Sequence, residues 1–154
     1  MPAANTNLDA CEQEPHDAFA SAEPAPVYAN SLLQQMHQVL GENGLLAQSS
    51  TSYRPRADQL QMAQAVTQAI ASNSAVVIEA GTGVGKTFAY LVPALLSGER
   101  IAISTATKNL QDQLFARDLP YLCQLLGLPL RMALLKGRGS YLCLQRLANA
   151  RQHP

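Results

Sequence analysis

The chain has 154 residues, and its 11 basic and 11 acidic side chains cancel to a formal net charge of zero. That length allows one ordinary domain, and no uninterrupted apolar run reaches the roughly 18 residues that a membrane span needs. Three widely spaced cysteines, Cys11, Cys123 and Cys143, fit neither a disulfide framework nor a paired metal site, so a soluble protein of the reducing cytoplasm is expected.

Residues 1–30 contain Pro2, Pro15, Pro24 and Pro26 and few large apolar side chains. Such a segment cannot offset the entropy of ordering, so it is expected to be a disordered tail. It holds five acidic residues and no Lys or Arg; the rest of the chain, with 11 basic and six acidic residues, is +5. From Arg131 onward five residues are basic and none is acidic, a bias toward polyanions or else a solvated basic face.

SLLQQMHQVLGENG, Ser31 to Gly44, spaces its apolar residues as a helix does until the glycines interrupt it. Ala57 to Ala71 predicts a second helix, with Leu60, Ala63, Val66, Thr67 and Ile70 on one face and Gln59, Gln61, Gln64 and Gln68 on the rest. AVVIEA, Ala75 to Ala80, is a short β-branched run stopped by glycine, the pattern of a strand buried on both faces. Lys86 to Ser97 predicts a helix kinked at Pro93 and closed by Gly98. Arg100 to Thr107 then predicts a strand, Leu110 to Gly127 a helix broken near Pro120, Leu130 to Gly137 a strand, and Tyr141 to Ala150 a helix. Strands alternating with helices predict an α/β fold with a parallel sheet covered by helices on both faces.

Ala80-Gly81-Thr82-Gly83-Val84-Gly85-Lys86-Thr87 carries the chemistry. Its glycines let successive backbone N–H groups turn toward an anion, and the helix N-terminus behind them adds partial positive charge. Lys86 is placed to reach the β and γ phosphates of a nucleotide and the Thr87 hydroxyl to ligate Mg²⁺. The strict pattern of such loops begins with Gly, where this chain has Ala80. Upstream, Arg56 and Gln59 offer the donors and acceptor that an adenine edge needs, or are simply part of a Gln-rich helix surface. Downstream, Ser104, Thr105, Thr107 and Lys108 follow a predicted strand, where hydroxyls and an ammonium suit a nucleic-acid backbone, or else Thr107 is only a helix N-cap. Cys143, between two leucines, and Cys123, in the apolar stretch YLCQLLGL, read by default as small core residues.

Taken together, PRADQLQMA, EAGTGVGKTFAYLVPAL, ISTATKNLQDQLFARDLP and LLKGRGSYLCLQRL, in that order, resemble the DinG/YoaA branch of the XPD-like iron–sulfur helicases of superfamily 2. The match runs from about Tyr53 to Leu147 and implies a P-loop NTPase of the RecA-like kind, ATP-driven 5′ to 3′ movement along single-stranded or forked DNA, and a role in DNA repair. By that resemblance Arg56 and Gln59 contact adenine; the loop from Ala80 to Thr87 holds ATP and Mg²⁺; Thr105, Thr107 and Lys108 contact DNA; and Cys143 is the first ligand of a [4Fe–4S] cluster. It also implies a first motor domain beginning at residues 31–137, an iron–sulfur domain beginning at 138–154, and a full-length protein acting as a monomer.

The departures are absences. A cluster of this type takes four thiolates, and no cysteine follows Cys143. After the loop the acidic residues are Glu99, Asp112 and Asp118, none in the family's carboxylate box. The chain is therefore expected to read as the front end of a helicase that binds ATP but hydrolyses it near background. The alternative is a stand-alone nucleotide- or DNA-binding module.

Overall fold

Residues Ala57–Ala71 form a helix with the limits the periodicity predicts, because its first turn follows Pro55 and its small residues allow close packing. A computed structural model describes residues 26–129 and 131–152. In chain order its helices are α1 (Pro26–Leu40), α2 (Leu45–Ser49), α3 (Ala57–Ala71), α4 (Lys86–Leu96), α5 (Lys108–Gln113), α6 (Leu119–Leu126) and α7 (Leu144–Gln152). A π-helical turn, Leu114–Asp118, joins α5 to α6, and a 3₁₀ turn, Arg138–Ser140, precedes α7.

The core forms where α1, α3 and α4 pack on one another, with α2 and α6 closing its side. Met36, Leu40, Leu46, Leu91, Val92 and Leu122 are fully or almost fully buried there. Each such side chain contributes about 1.5–3 kcal/mol by leaving water. Ala63 and Ala89 are also fully buried, and residues this small let α3 and α4 approach closely. The Thr67 hydroxyl, buried on the same face, donates to the Ala63 carbonyl at 2.7 Å and so carries no orphaned polar group inward.

Helix α1 begins at Pro26, five residues inside the segment expected to be a disordered tail; residues 1–25 lie outside the described residues. The Tyr28 hydroxyl donates to the Ser97 carbonyl at 3.1 Å, tying the first turns of α1 to the end of α4, and Leu32 and Met36 bury behind it. This gain is tertiary, and local composition does not reveal it.

The break expected near Pro120 lies just upstream. In a regular helix the Pro120 ring would clash with the Ala116 carbonyl, and the residue has no N–H to donate. The π-helical turn before it widens the spiral, which stacks Asp118 over Gln113 five residues earlier. Gln113 Nε2 donates to Asp118 Oδ2 at 2.8 Å and Arg117 Nε to Oδ1 at 2.9 Å, so this buried carboxylate is fully engaged.

The expected sheet is the main difference. Among the described residues there is no strand: residues 75–80, 100–106 and 131–137 run as irregular backbone between helices. A strand exists only when neighbouring backbones take up its N–H and C=O groups. None of the backbone groups in these three segments bonds to another of them. Val77, in the run expected to be a strand buried on both faces, is 99% exposed, and Leu135, in the third expected strand, is 84% exposed. The segments 100–107 and 131–135 flank a cleft of about 770 Å³ over Leu91, Ala94, Leu95 and Leu114. Gln111 Nε2 donates to the Leu135 carbonyl at 2.8 Å, and Lys136 pairs with Asp112 at 2.7 Å, which hold the last segment against α5.

Candidate nucleotide site

The loop from Ala80 to Gly85 connects an irregular apolar run to the first turn of α4. Gly83 and Gly85 have φ of +80° and +88°, left-handed values that side chains other than glycine's adopt only under strain. A Cβ at Gly85 would also run into the amide of Gln59. With the loop in this conformation, the first intrahelical bond of α4 is from the Ala89 N–H to the Gly85 carbonyl at 3.2 Å. Among the described residues the N–H groups of Lys86, Thr87 and Phe88 have no partner, as at any helix start, and together with the helix dipole they suit an anion.

Four carbonyls of the loop are held by side chains. Lys86 Nζ lies 2.8 Å from the Ala80 oxygen and 2.7 Å from that of Gly81. Arg56 Nη1 donates to the Gly83 carbonyl, and Gln59 Nε2 donates to that of Gly85 at 3.0 Å. The C=O and N–H of one peptide point in opposite directions, so holding these carbonyls sets where the next N–H groups aim. Thr82 is exposed, Val84 and Thr87 are half-buried, and Lys86 is exposed.

Gln59 is 3% exposed, although helical spacing placed it on the polar side of α3. It is buried because its amide is satisfied at both ends: the Tyr53 hydroxyl donates to Oε1 at 2.7 Å while Nε2 donates to Gly85. Tyr53, absent from the residues picked out by motif, makes this possible; its single proton is shared unequally with the Leu40 carbonyl, 3.2 Å from the same oxygen. The signal in the sequence was a tyrosine six residues before an amide that the α3 packing buries. Burial pushes the Tyr53 phenol above its ordinary pKa, which already keeps it protonated at neutral pH.

Helix α4 is steadied from its other side. Phe88 stacks on Tyr121 with ring centroids 6.1 Å apart, and the Tyr121 hydroxyl meets Ser49 Oγ at 2.9 Å. Burial pushes the Tyr90 phenol up; a hydrogen bond with Thr87 lowers it, and the Asp118 charge raises it further.

The remaining expected residues lie apart from this loop in sequence. Thr107 is the N-cap of α5, its side chain accepting from the Leu110 N–H at 3.3 Å, and Thr105 Oγ1 donates to the Thr107 carbonyl at 3.2 Å. Thr107→Ala should therefore destabilise the fold by about 1 kcal/mol, whereas Thr107→Asp, which keeps a capping oxygen, should not. Urea denaturation of the two variants checks this. Lys108 is exposed, as is Cys143 at the start of α7, which buries none of its residues. Cys123 is half-buried on α6, and burial raises its thiol pKa. Among the described residues no three His, Cys, Asp or Glu side chains converge as a metal site. With three cysteines in the chain, one short of four thiolates, these residues do not fit a complete [4Fe–4S] cluster. No helix among the described residues is long and apolar enough to cross a membrane.

A glycine-rich loop with left-handed turns, a lysine over it and an open helix start behind it define a P-loop nucleotide-binding protein. Residues 57–151 match the DEAD/DEAH box helicase family, and the chain belongs to that family, which implies a RecA-like P-loop fold. It is 57% identical over 113 residues to the ATP-dependent DNA helicase YoaA of Haemophilus influenzae, covering 73% of this chain and 18% of that protein. Over 105 residues it is 53% identical to YoaA of Escherichia coli K12, covering 68% of this chain and 16% of that one. An ATP-dependent helicase DinG of Mycobacterium tuberculosis is 47% identical over 103 residues, 62% of this chain and 16% of the relative. The chain thus spans less than a fifth of the length of these curated relatives. No solved structure matches it.

Proposed function

We propose that these residues are the ATP-binding front of a DNA helicase of the DinG/YoaA kind, acting on single-stranded or forked DNA in repair in the cytoplasm. The observation that carries this reading is the loop: Lys86 reaches over Ala80 and Gly81, and the free N–H groups of α4 open behind it. Lys86 and those N–H groups bind the phosphates, and the Thr87 hydroxyl holds Mg²⁺, which supplies charge neutralisation at the phosphates. Arg56 and Gln59, already beside the loop, would contact adenine, Gln59 only by exchanging its bond to Tyr53 or Gly85 for one to the base. Thr105, Thr107 and Lys108 contact the DNA backbone, and Thr107→Asp should then weaken DNA binding while keeping the fold.

Residues 75–80, 100–107 and 130–137 are parallel strands of an α/β RecA-like sheet in the complete protein. The β-branched composition of the first two, the apolar run of the third and the open cleft beside the last two support this. Residues from 138 begin an iron–sulfur domain, with Cys143 as its first ligand and a full-length protein acting as a monomer.

Hydrolysis by the chain alone should stay near background. Asp112 is paired with Lys136 and Asp118 is tied to Gln113 and Arg117, so neither is free to orient an attacking water. Titration with a fluorescent ATP analogue tests the reading: Lys86→Ala should lower affinity about 10- to 100-fold, as expected for a charged hydrogen-bond donor worth about 1.5–3 kcal/mol. Equal binding by the variant would overturn it, and brisk Mg²⁺-dependent turnover abolished by the same change would overturn the claim about hydrolysis.

A further inference from the structure

Among the described residues the phenol of Tyr53 makes no hydrogen bond to the phosphate loop, yet the hydrogen bonds run from it to the loop without a gap. Its hydroxyl donates to Gln59 Oε1 at 2.7 Å, and Gln59 Nε2 donates to the Gly85 carbonyl at 3.0 Å. We propose that Tyr53 is a positioning residue for the nucleotide site, acting through Gln59 to fix the Gly85–Lys86 peptide so that its N–H faces the phosphates. This rests on the nucleotide reading of the loop given above.

An amide has one accepting and one donating end. If Gln59 turned over, Oε1 would face the Gly85 oxygen, two acceptors in contact, and Nε2 would face a hydroxyl that can also accept. With Tyr53 donating, only one orientation satisfies every group. Gln59 is 3% exposed, so water does not stand in for a lost partner. The same proton is shared with the Leu40 carbonyl at the end of α1, the more distant acceptor at 3.2 Å against 2.7 Å for Gln59. The chain of contacts therefore runs from α1 through α3 to the first peptide of α4. Gly85, at φ +88° and with the Gln59 amide where a Cβ would stand, has no side chain of its own to hold that peptide.

The phosphate loop and the adenine base give different signatures, and inorganic tripolyphosphate separates them because it has phosphates and no base. The experiment is titration of the whole chain with a fluorescent ATP analogue, then displacement by tripolyphosphate, for the wild type, Tyr53→Phe, Gln59→Ala, the double variant and Lys86→Ala, with thermal unfolding of each. Tyr53→Phe should weaken both ligands by the same factor, about five- to tenfold, with measurements made well below the unfolding temperature. In the Gln59→Ala background the same change should add little, because the two residues act in series. Weakened ATP with unchanged tripolyphosphate would overturn the proposal in favour of a base contact. A lower unfolding temperature with both affinities intact would overturn it in favour of packing alone. Lys86→Ala binding as well as the wild type, or no binding by the wild type, would overturn the nucleotide reading itself, whatever Tyr53→Phe does.

Discussion

Gly85→Ala should all but abolish nucleotide binding, lowering affinity about 100-fold or more. At φ +88° an alanine pays about 1–2 kcal/mol of steric strain, and its methyl would occupy the place of the Gln59 amide. The loop relieves both by rotating the Gly85 peptide. That turns the Lys86 N–H away from the phosphates and frees the carbonyl from Gln59. A lost hydrogen bond to a charged group adds about 1.5–3 kcal/mol, and the two terms together reach the 100-fold scale. Binding of a fluorescent ATP analogue, measured where thermal unfolding shows the variant folded, checks this. Unchanged affinity would mean that the conformation of Gly85 does not govern the site.

Leu91→Ala should cost about 2–5 kcal/mol of stability, a large share of the 5–15 kcal/mol typical of a folded domain. Leu91 is fully buried on α4 among the side chains that join this helix to α1 and α3. Cutting it back loses its transfer free energy and leaves a cavity that rigid neighbours fill only in part. Leu135→Ala provides the contrast: at 84% exposure it should change stability by about 0.5 kcal/mol or less. Urea denaturation followed by circular dichroism measures both. Equal effects at the two positions would contradict the placement of the core beneath α4.

The phosphate loop was legible because its requirements are local. Gly83, Gly85 and Lys86 act within a few bonds of one another, so spacing alone identifies them. The same holds for α3 and for the cap at Thr107, where short-range periodicity or one hydroxyl suffices. Gln59 was misplaced on the polar face because an amide is indistinguishable from a solvated one until Tyr53 and Gly85 appear on either side of it. The start of α1 was hidden for a similar reason, since Tyr28 finds its partner 69 residues away at Ser97.

The segments 75–80, 100–106 and 131–137 show the limit most plainly. The β-branched residues of the first two and the apolar run of the third suit a strand, but composition states a preference, and pairing requires another backbone about 5 Å away. By itself the sequence determined the glycine-rich loop, the helices α3 and α4 and the family, because each rests on residues close together in the chain. Only the tertiary structure decided which polar side chains are buried, which carbonyls of the loop are held, and which apolar runs lack a partner. Those outcomes depend on groups brought together from distant positions, and such hydrogen bonds and contacts have no signature at either end taken alone.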